Sequence, residues 1–463
     1  MNKNFKNKKV GILGLGEENI ALLQYLKHSG AKITICDQKS RVELEPSLKR
    51  FSEFEYDLQL GPTYLDNLSD FDIVFRSPGL PYLNEKIQVA KEAGVKISSE
   101  IKLFFDLCPA PIIGVTGTKG KGTTTTLIGD ILKKSIRAQE TQKFINRVFV
   151  AGNIGQAPIE FVDNLEKNDV VVLELSSFML QDLHVSPHIA VVLDIKIDHL
   201  DHHENEAEYI QAKTAIVKYQ TKKDFAVVNA DYATTLDFAT KTLAEVYWFS
   251  RRKVVNQGVF LQGDELILRD DGKDNILVKT SEVTLRGEHN LENIAAAATS
   301  AYLAGADLES IKKVIKNFKG LEHRLEFIGQ HAGIKYYNDS FSTTPDTAIA
   351  AIHAFSDPVI LIAGGSEKNA DYTELGKVIS GSNTKTAILI GDTGPQIKKK
   401  INNSKIKIID TCKNIEDVVK SARSVAEKGD VVLLSPASAS FDWFGNYKER
   451  GKKFKEEVLK GFV

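Results

Sequence analysis

Short apolar runs alternate with longer segments in which apolar positions recur every three or four residues. VGIL at 10–13 reads as a buried strand, GLGEEN at 14–19 as a turn, and IALLQYLKHSG at 20–30 as a helix closed by glycine. AKITICD at 31–37 is the next strand, and DIVFRSPG at 72–79 is a later one running into a Pro-Gly turn. The rhythm restarts after LCPAP at 107–111, where two prolines punctuate the chain, and again after FKGLEHR at 318–324. Beyond it, IKYYND (334–339), PVILIAGG (358–365), TAILIG (386–391) and DVVLLS (430–435) read as strands. This alternation predicts an α/β protein with mainly parallel sheets. The expected domains are 1–108, 109–320 and 321–463.

The chain has 463 residues, enough for about three domains. Apolar residues make up 42% and charged residues 26%, so a large core is within reach. A net charge of −1 makes nucleic acid a poor partner, because general polyanion binders are basic. An anionic substrate must then be gripped by local cations or helix ends. Three scattered cysteines, Cys36, Cys108 and Cys412, form neither a disulfide framework nor a zinc spacing. No signal-peptide pattern or bilayer-length apolar run is present, so a cytoplasmic protein with no membrane partner is expected.

PIIGVTGTKGKGTTTTLIGDIL at 111–132 carries the strongest chemistry. An apolar strand enters a glycine-rich loop and a helix leaves it. Glycines let backbone N–H groups wrap a phosphate, and the helix N-terminus adds its positive end. Lys121 reaches the outer phosphates. Gly122 stands where Ser or Thr usually holds magnesium, leaving Thr123 as the nearest hydroxyl. Gly117, Thr118, Lys119, Gly120, Lys121, Gly122 and Thr123 are therefore candidates to bind a nucleoside triphosphate. VVVLELSSFML at 170–180 ends its strand on Glu174, a position that faces the ligand crevice in a parallel sheet. HLDHH at 199–203 lacks a zinc-protease spacing, and His202 and His203 are read as solvated loop residues. GLGEEN with Asp37 is a weak dinucleotide fingerprint, since Asn19 replaces its third glycine. It leaves an NAD-dependent oxidoreductase open as an alternative.

TGTKGKGTTT resembles the TGTNGK(S/T)T loop of the Mur ligase family and the related folylpolyglutamate synthases. ELSSFML followed by DHLD and an Ala-Lys pair is similar to the family's next segments. AGNIGQAP (151–158), LRGEHNLENIAAAA (285–298), GLEHRLEF (320–327), YYNDSFSTTPDT (336–347), LIAGGSEKNADY (361–372) and LLSPASASFDWFGNYKERGKKF (433–454) resemble others, in family order. The tail is most similar to the D-glutamate-adding branch.

This resemblance implies three domains: N-terminal Rossmann-like, central P-loop ATPase-like, and C-terminal Rossmann-like. It implies an ATP-dependent amide ligase of peptidoglycan precursor synthesis, acting as a monomer on UDP-N-acetylmuramoyl-L-alanine and D-glutamate. Lys121, Glu174, His199 and Lys213 become the catalytic candidates. Thr123, Glu174, His199 and a carbamylated Lys213 would hold Mg²⁺. Asn293, Arg324 and Asp339 join the ATP site, with His289 and Asn290 nearby. Gly14, Leu15, Gly16, Asp37, Ser77, Asn153 and Ser176 would contact the UDP substrate, with Arg76 assisting. Thr343, Lys368, Ser440 and Tyr447 would hold D-glutamate. The sequence departs from the family pattern at Gly122, Met179 and Phe341. A sister amide ligase and a degenerate nucleotide-binding protein thus remain alternatives.

Overall fold

The computed structural model describes residues 5–51, 53–138, 145–153, 156–196, 203, 205–285, 287–367 and 370–462. Among them, strands form three sheets, giving three α/β domains. The first contains β1 (Lys9–Leu13), β2 (Lys32–Asp37), β3 (Asp57–Leu60), β4 (Ile73–Arg76) and β5 (Lys96–Ser98), in the order β3-β2-β1-β4-β5. All its pairings are parallel. The order reverses between β1 and β4, and the loops after those two strands therefore flank a crevice.

The second sheet contains β6 (Ile112–Thr116), β7 (Val148–Gly152), β8 (Val170–Glu174), β9 (Ile189–Val192), β10 (Phe225–Asn229) and β11 (Glu245–Ser250). It continues with β12 (Gly258–Gln262), β13 (Glu265–Asp270) and β14 (Lys273–Lys279). Its order is β14-β13-β12-β11-β10-β9-β6-β8-β7. β6 is buried along its whole length because helices cover both faces of the parallel part. The helix Lys121–Ala138 leaves the β6 loop, and the Ala-rich helix Glu288–Leu303 buries Ala295, Ala296, Ala297 and Ala298. The antiparallel edge β12-β13-β14 does not follow from the alternating α/β rhythm. Its signal was local: Gly263–Asp264 and Asp271–Gly272 are two-residue hairpin loops, and both residues of the second have positive φ.

Residues 5–283 and 288–317, where described, form one compact unit. One hydrophobic core runs through it, from Val10, Ile12 and Leu22 to Leu173, Ala190 and Ile216. A polar seam accompanies this core. Arg76, at the end of β4, is 1% exposed. Its guanidinium pairs with Asp182 at 3.4 Å and donates to the carbonyls of Phe178 (2.8 Å) and Leu80 (2.6 Å). Arg76 thus ties β4 to the segment after β8 and is not available as a substrate contact. Glu100, in the helix Glu100–Leu107, accepts from Ile159 N at 2.7 Å, and its Oε2 has no hydrogen-bond partner among the described residues.

The other unit comprises residues 284–287 and 318–463 where described. Its sheet contains β15 (Glu326–His331), β16 (Ile334–Asn338), β17 (Val359–Gly364), β18 (Thr384–Ile390), β19 (Lys407–Ile409) and β20 (Val431–Leu434). The order is β15-β16-β20-β17-β18-β19, with only the β15–β16 pair antiparallel. Among the described residues no helix is long and apolar enough to cross a membrane.

The seam yields two expectations. Arg76→Ala leaves Asp182 buried without its cation and should cost about 3–5 kcal/mol in a denaturant melt. Replacing both residues by leucine should cost less. Burial pushes the Glu100 carboxyl up to about 8 from its ordinary 4.5. The protonated acid therefore favours the fold, a contribution complete below about pH 4.5 and lost as pH rises through about 8. The stability of Glu100→Gln relative to the native chain should accordingly increase between about pH 5 and about pH 9.

Candidate functional site

The loop after β6 opens at the switch point of the second sheet, between β8 and β9. Its path depends on glycine. A Cβ at Gly117 would lie 2.7 Å from Leu193 Cβ, and one at Gly120, where φ is +85°, would lie 2.1 Å from Asn293 Oδ1. Hydrogen bonds hold the rest of the loop. Thr118 N donates to Asp194 O (2.7 Å), and Thr118 Oγ1 lies 3.0 Å from the Tyr209 hydroxyl. Thr124 N donates to Gly120 O at 2.9 Å, so the helix begins directly at the loop and aims its N-terminus into the crevice. Lys121 Nζ folds back to donate to the Gly117 and Thr118 carbonyls, at 3.1 and 3.0 Å. Lys119 is exposed, Gly122 is buried and Thr123 is half-buried. Thr124 is buried and donates to Asn293 Oδ1 at 3.4 Å, while Asn293 Nδ2 donates to Asn290 Oδ1 at 2.8 Å. Burial lowers the His289 pKa below the usual imidazole range.

Lys213 meets this loop, and Glu174 ends β8, the strand paired with β6. Glu174 is 3% exposed at the end of β8, and its Oε1 accepts from Asn153 Nδ2 at 3.0 Å. Asn153 N donates to the Glu174 carbonyl at 2.9 Å, fixing both residues. Glu174 Oε2 is buried and has no hydrogen-bond partner among the described residues. An orphaned carboxylate oxygen beside a phosphate cradle fits a hard cation such as Mg²⁺. Lys213, on the helix Glu206–Lys218, is buried; its Nζ donates to Gly117 O (3.1 Å) and lies 4.7 Å from the Tyr209 ring centre. Ser176 caps the short helix Ser177–Leu180, with its Oγ accepting from Met179 N at 3.2 Å. Met179 is buried in the shared core, so no substrate contact is assigned to it. His199 and His202 lie outside the described residues. His203 corrects the expectation of a solvated loop residue: it is 3% exposed and hydrogen-bonded on both sides of its ring.

The first sheet gathers its candidates around β1. Leu15 N donates to Asp37 Oδ2 at 2.7 Å, and Lys39 N donates to Asp37 Oδ1 at 2.9 Å. Cβ atoms at Gly14 and Gly16 would contact the Ser77 side chain. Asn19 takes over the missing third glycine's place by donating to the carbonyls of Gly14 (2.7 Å) and Leu13 (3.1 Å) from behind the turn.

The second unit assembles its candidates around Arg450, a residue the sequence reading left unassigned although it lies in the quoted tail. Its buried guanidinium donates to Ser340 Oγ, Ser340 O and Ala439 O, each at 3.0 Å. Ser340 Oγ in turn donates to Tyr447 O at 2.8 Å. This binds the turn leading to Thr343, the loop carrying Ser440 and the helix beginning at Tyr447 to one cation. Ser440 is buried, whereas Thr343 and Tyr447 are half-buried. Lys368 lies outside the described residues. Asp339 accepts from Ser342 Oγ (2.5 Å), Ser435 Oγ (2.7 Å) and Leu325 N (3.1 Å). Burial raises its carboxyl to about 6 against the pull of those bonds. Arg324 lies between two non-glycine residues with positive φ, His323 (+65°) and Leu325 (+45°), a strained presentation typical of functional turns. Its guanidinium sits 3.7 Å above the Phe341 ring, and that ring meets Tyr447 edge-on at 5.2 Å.

Comparison with known proteins matches all three sheets. Residues 8–99 match the MurD-like N-terminal domain of the Mur ligases, 115–301 the Mur ligase middle domain, and 323–438 the Mur ligase glutamate ligase domain. The UDP-N-acetylmuramoylalanine–D-glutamate ligase of Acetivibrio thermocellus is 42% identical over 463 residues, covering 98% of this chain and 97% of its own. The ligase of the same name from Symbiobacterium thermophilum is 40% identical over 454 residues, covering 97% and 98%. The crystal structure of UDP-N-acetylmuramate–alanine ligase from Thermotoga maritima has a TM-score of 0.59 at 19% identity, covering 98% of this chain and all of that one, a likeness of fold.

Adding one methyl group at Gly120 tests the loop. Gly120→Ala should lower ATP affinity by roughly 10-fold or more, read by calorimetry, because the Cβ collides with Asn293 and φ is left-handed. Gly381→Ala, where a Cβ meets nothing within 4 Å, should leave that affinity unchanged.

Proposed function

The chain belongs to the Mur ligase family, and we propose that within it the protein is the ATP-dependent ligase joining D-glutamate to UDP-N-acetylmuramoyl-L-alanine, a step of peptidoglycan precursor synthesis. The observation that carries the chemistry is the buried Glu174 Oε2, without a hydrogen-bond partner among the described residues, at the end of the strand paired with the one that enters the Gly117–Gly120 loop. The choice of D-glutamate is supported by the full-length similarity to ligases of that name.

In this reading the loop amides and the helix N-terminus at Lys121 cradle the ATP phosphates. Gly117, Thr118, Lys119, Gly120, Gly122 and Thr123 form the cradle, and Asn293 supports it from behind. Lys121 exchanges its two loop carbonyls for the outer phosphates and follows the γ-phosphoryl group as it moves. The L-alanyl carboxylate attacks the γ-phosphorus, ADP leaves, and an acyl phosphate forms. The neutral amine of D-glutamate then attacks the acyl carbon. The tetrahedral intermediate expels inorganic phosphate, leaving an amide. Bound Mg²⁺, held by Glu174, His199, Thr123 and a carbamylated Lys213, would neutralise phosphate charge during transfer. Asn153 orients Glu174 through its 3.0 Å hydrogen bond.

The remaining roles follow the same reading. Gly14, Leu15, Gly16, Asp37 and Ser77 hold the uridine-diphosphate end, with Asn153 and Ser176 nearer the reacting carboxylate. Arg324 and Asp339 serve the nucleotide. Thr343, Lys368, Ser440 and Tyr447 take the amino acid, whose two carboxylates demand cations and strong donors in a partly dry site. The expected oligomeric state is a monomer and the expected compartment the cytoplasm.

The decisive measurement is ADP formation with UDP-N-acetylmuramoyl-L-alanine and a panel of amino acids. D-glutamate should be preferred, and Lys121→Ala should lower the rate by about 100-fold or more while the chain stays folded. Preference for a neutral or basic amino acid, or near-normal turnover without Lys121, would overturn the reading.

A further inference from the structure

Ser177, His203 and Glu208 form a hydrogen-bonded chain beside the phosphate loop. His203 Nε2 lies 2.9 Å from Ser177 Oγ, and Nδ1 lies 2.5 Å from Glu208 Oε2. The imidazole stacks on Phe178, with centroids 5.0 Å apart and planes 10° apart, and meets the Tyr209 ring edge-on at 5.2 Å. Gln181 Nε2 donates to the other oxygen of Glu208 at 2.6 Å. Both ring nitrogens and both aromatic contacts are thus committed.

The connectivity is that of a Ser-His-Glu hydrolytic triad, and Ser177 follows a strand in a tight turn into a helix. Burial argues against hydrolysis. Ser177 is 2% and His203 3% exposed, so an ester or amide carbonyl has no approach to the hydroxyl. A buried, fully engaged network of this kind instead fixes the elements that it joins. One end is the turn carrying Glu174 and Ser176. The other is the helix Glu206–Lys218, which carries Lys213 one turn beyond Tyr209. Tyr209 in turn places its hydroxyl 3.0 Å from Thr118 Oγ1 in the phosphate loop.

We propose that His203 is a positioning residue for the ligase reaction: its bonds to Ser177 and Glu208 hold the Glu174 turn against the Lys213 helix and so set the spacing of the groups that bind metal and phosphate. This rests on the ligase reading above. Every bond of the network lies within the unit that carries Glu174 and Lys213, and the amino-acid candidates are residues of the other unit.

The test is Mn²⁺ binding, read by electron paramagnetic resonance on the full chain with ADP, alongside steady-state kinetics. His203→Ala should weaken Mn²⁺ binding by roughly 10-fold or more, as loss of groups that orient metal ligands does. It should raise the Mg²⁺ needed for half-maximal ADP formation in proportion and leave the KM for D-glutamate unchanged. Ser177→Ala keeps the ring stack and should move the same two quantities in the same direction. His203→Gln, which can still bond to Ser177, should recover part of the loss. If His203→Ala fails to fold, the other two variants decide the matter. Unchanged Mn²⁺ binding in folded variants, or a loss spread equally over the metal and D-glutamate, would overturn the proposal. Labelling of Ser177 by a fluorophosphonate would overturn it in favour of a hydrolase. Absence of ADP formation by the unmodified chain with its proposed substrates would sink the ligase reading instead, leaving the Mn²⁺ comparison to judge His203 by itself.

Discussion

The close approach of the Gly117–Gly120 loop to its neighbours is the constraint on which the candidate site depends. Side chains at these positions would collide with Leu193 and Asn293. With hydrogen there, the backbone passes between the ends of β6 and β9 and delivers the helix N-terminus into the crevice. The helix Glu288–Leu303 then packs close enough for Asn293 to reach the loop, because its inward face is alanine. The ammonium of Lys213 reaches the loop at Gly117 O from the helix Glu206–Lys218, and Glu174 ends β8, which pairs with β6.

Several polar groups around this core are buried with partners, which makes the crevice rigid where they sit. Asn153 engages one oxygen of Glu174 and leaves the other without a protein donor among the described residues. Arg76 meets Asp182 and four backbone carbonyls, that of Phe178 among them, where the segments after β4 and β8 come together. In the second unit, Arg450 does comparable work with neutral acceptors. Burial lowers its pKa to about 10, still far above neutrality, so it remains a cation. These arginines carry charge inside the fold, where it orders loops; neither is solvated at the surface.

Two of the sequence's departures from the family pattern acquire a physical meaning. Phe341 provides a face on which the Arg324 guanidinium rests, beside the candidate amino-acid residues. Met179 contributes to the core, where its flexible thioether packs among apolar side chains. For Gly122 the structure shows a buried position on the first turn of the helix, with the half-buried Thr123 hydroxyl next to it.

Much of this protein was legible in its sequence because the relevant signals are local. Strand-length apolar runs, glycine-rich turns and the residues that follow them occupy adjacent positions, so 111–132 could be read as strand, phosphate loop and helix, and β8 as ending on Glu174. The hairpins of β12–β14 had local signals too, in their two-residue turns, but the dominant α/β rhythm masked them. Burial and partnership depend on residues far apart in the chain, and these only the tertiary structure decided. Arg76 ends a strand just before a turn, as a ligand-binding residue would, yet Asp182, 106 positions later, draws it into the seam. His203 belongs to a polar, histidine-rich stretch that suggests solvent, but Ser177 and Phe178 come from another strand's turn to enclose it. A sequence specifies which groups are available; packing fixes which of them remain exposed to a ligand, because each buried donor or charge must first satisfy its neighbours.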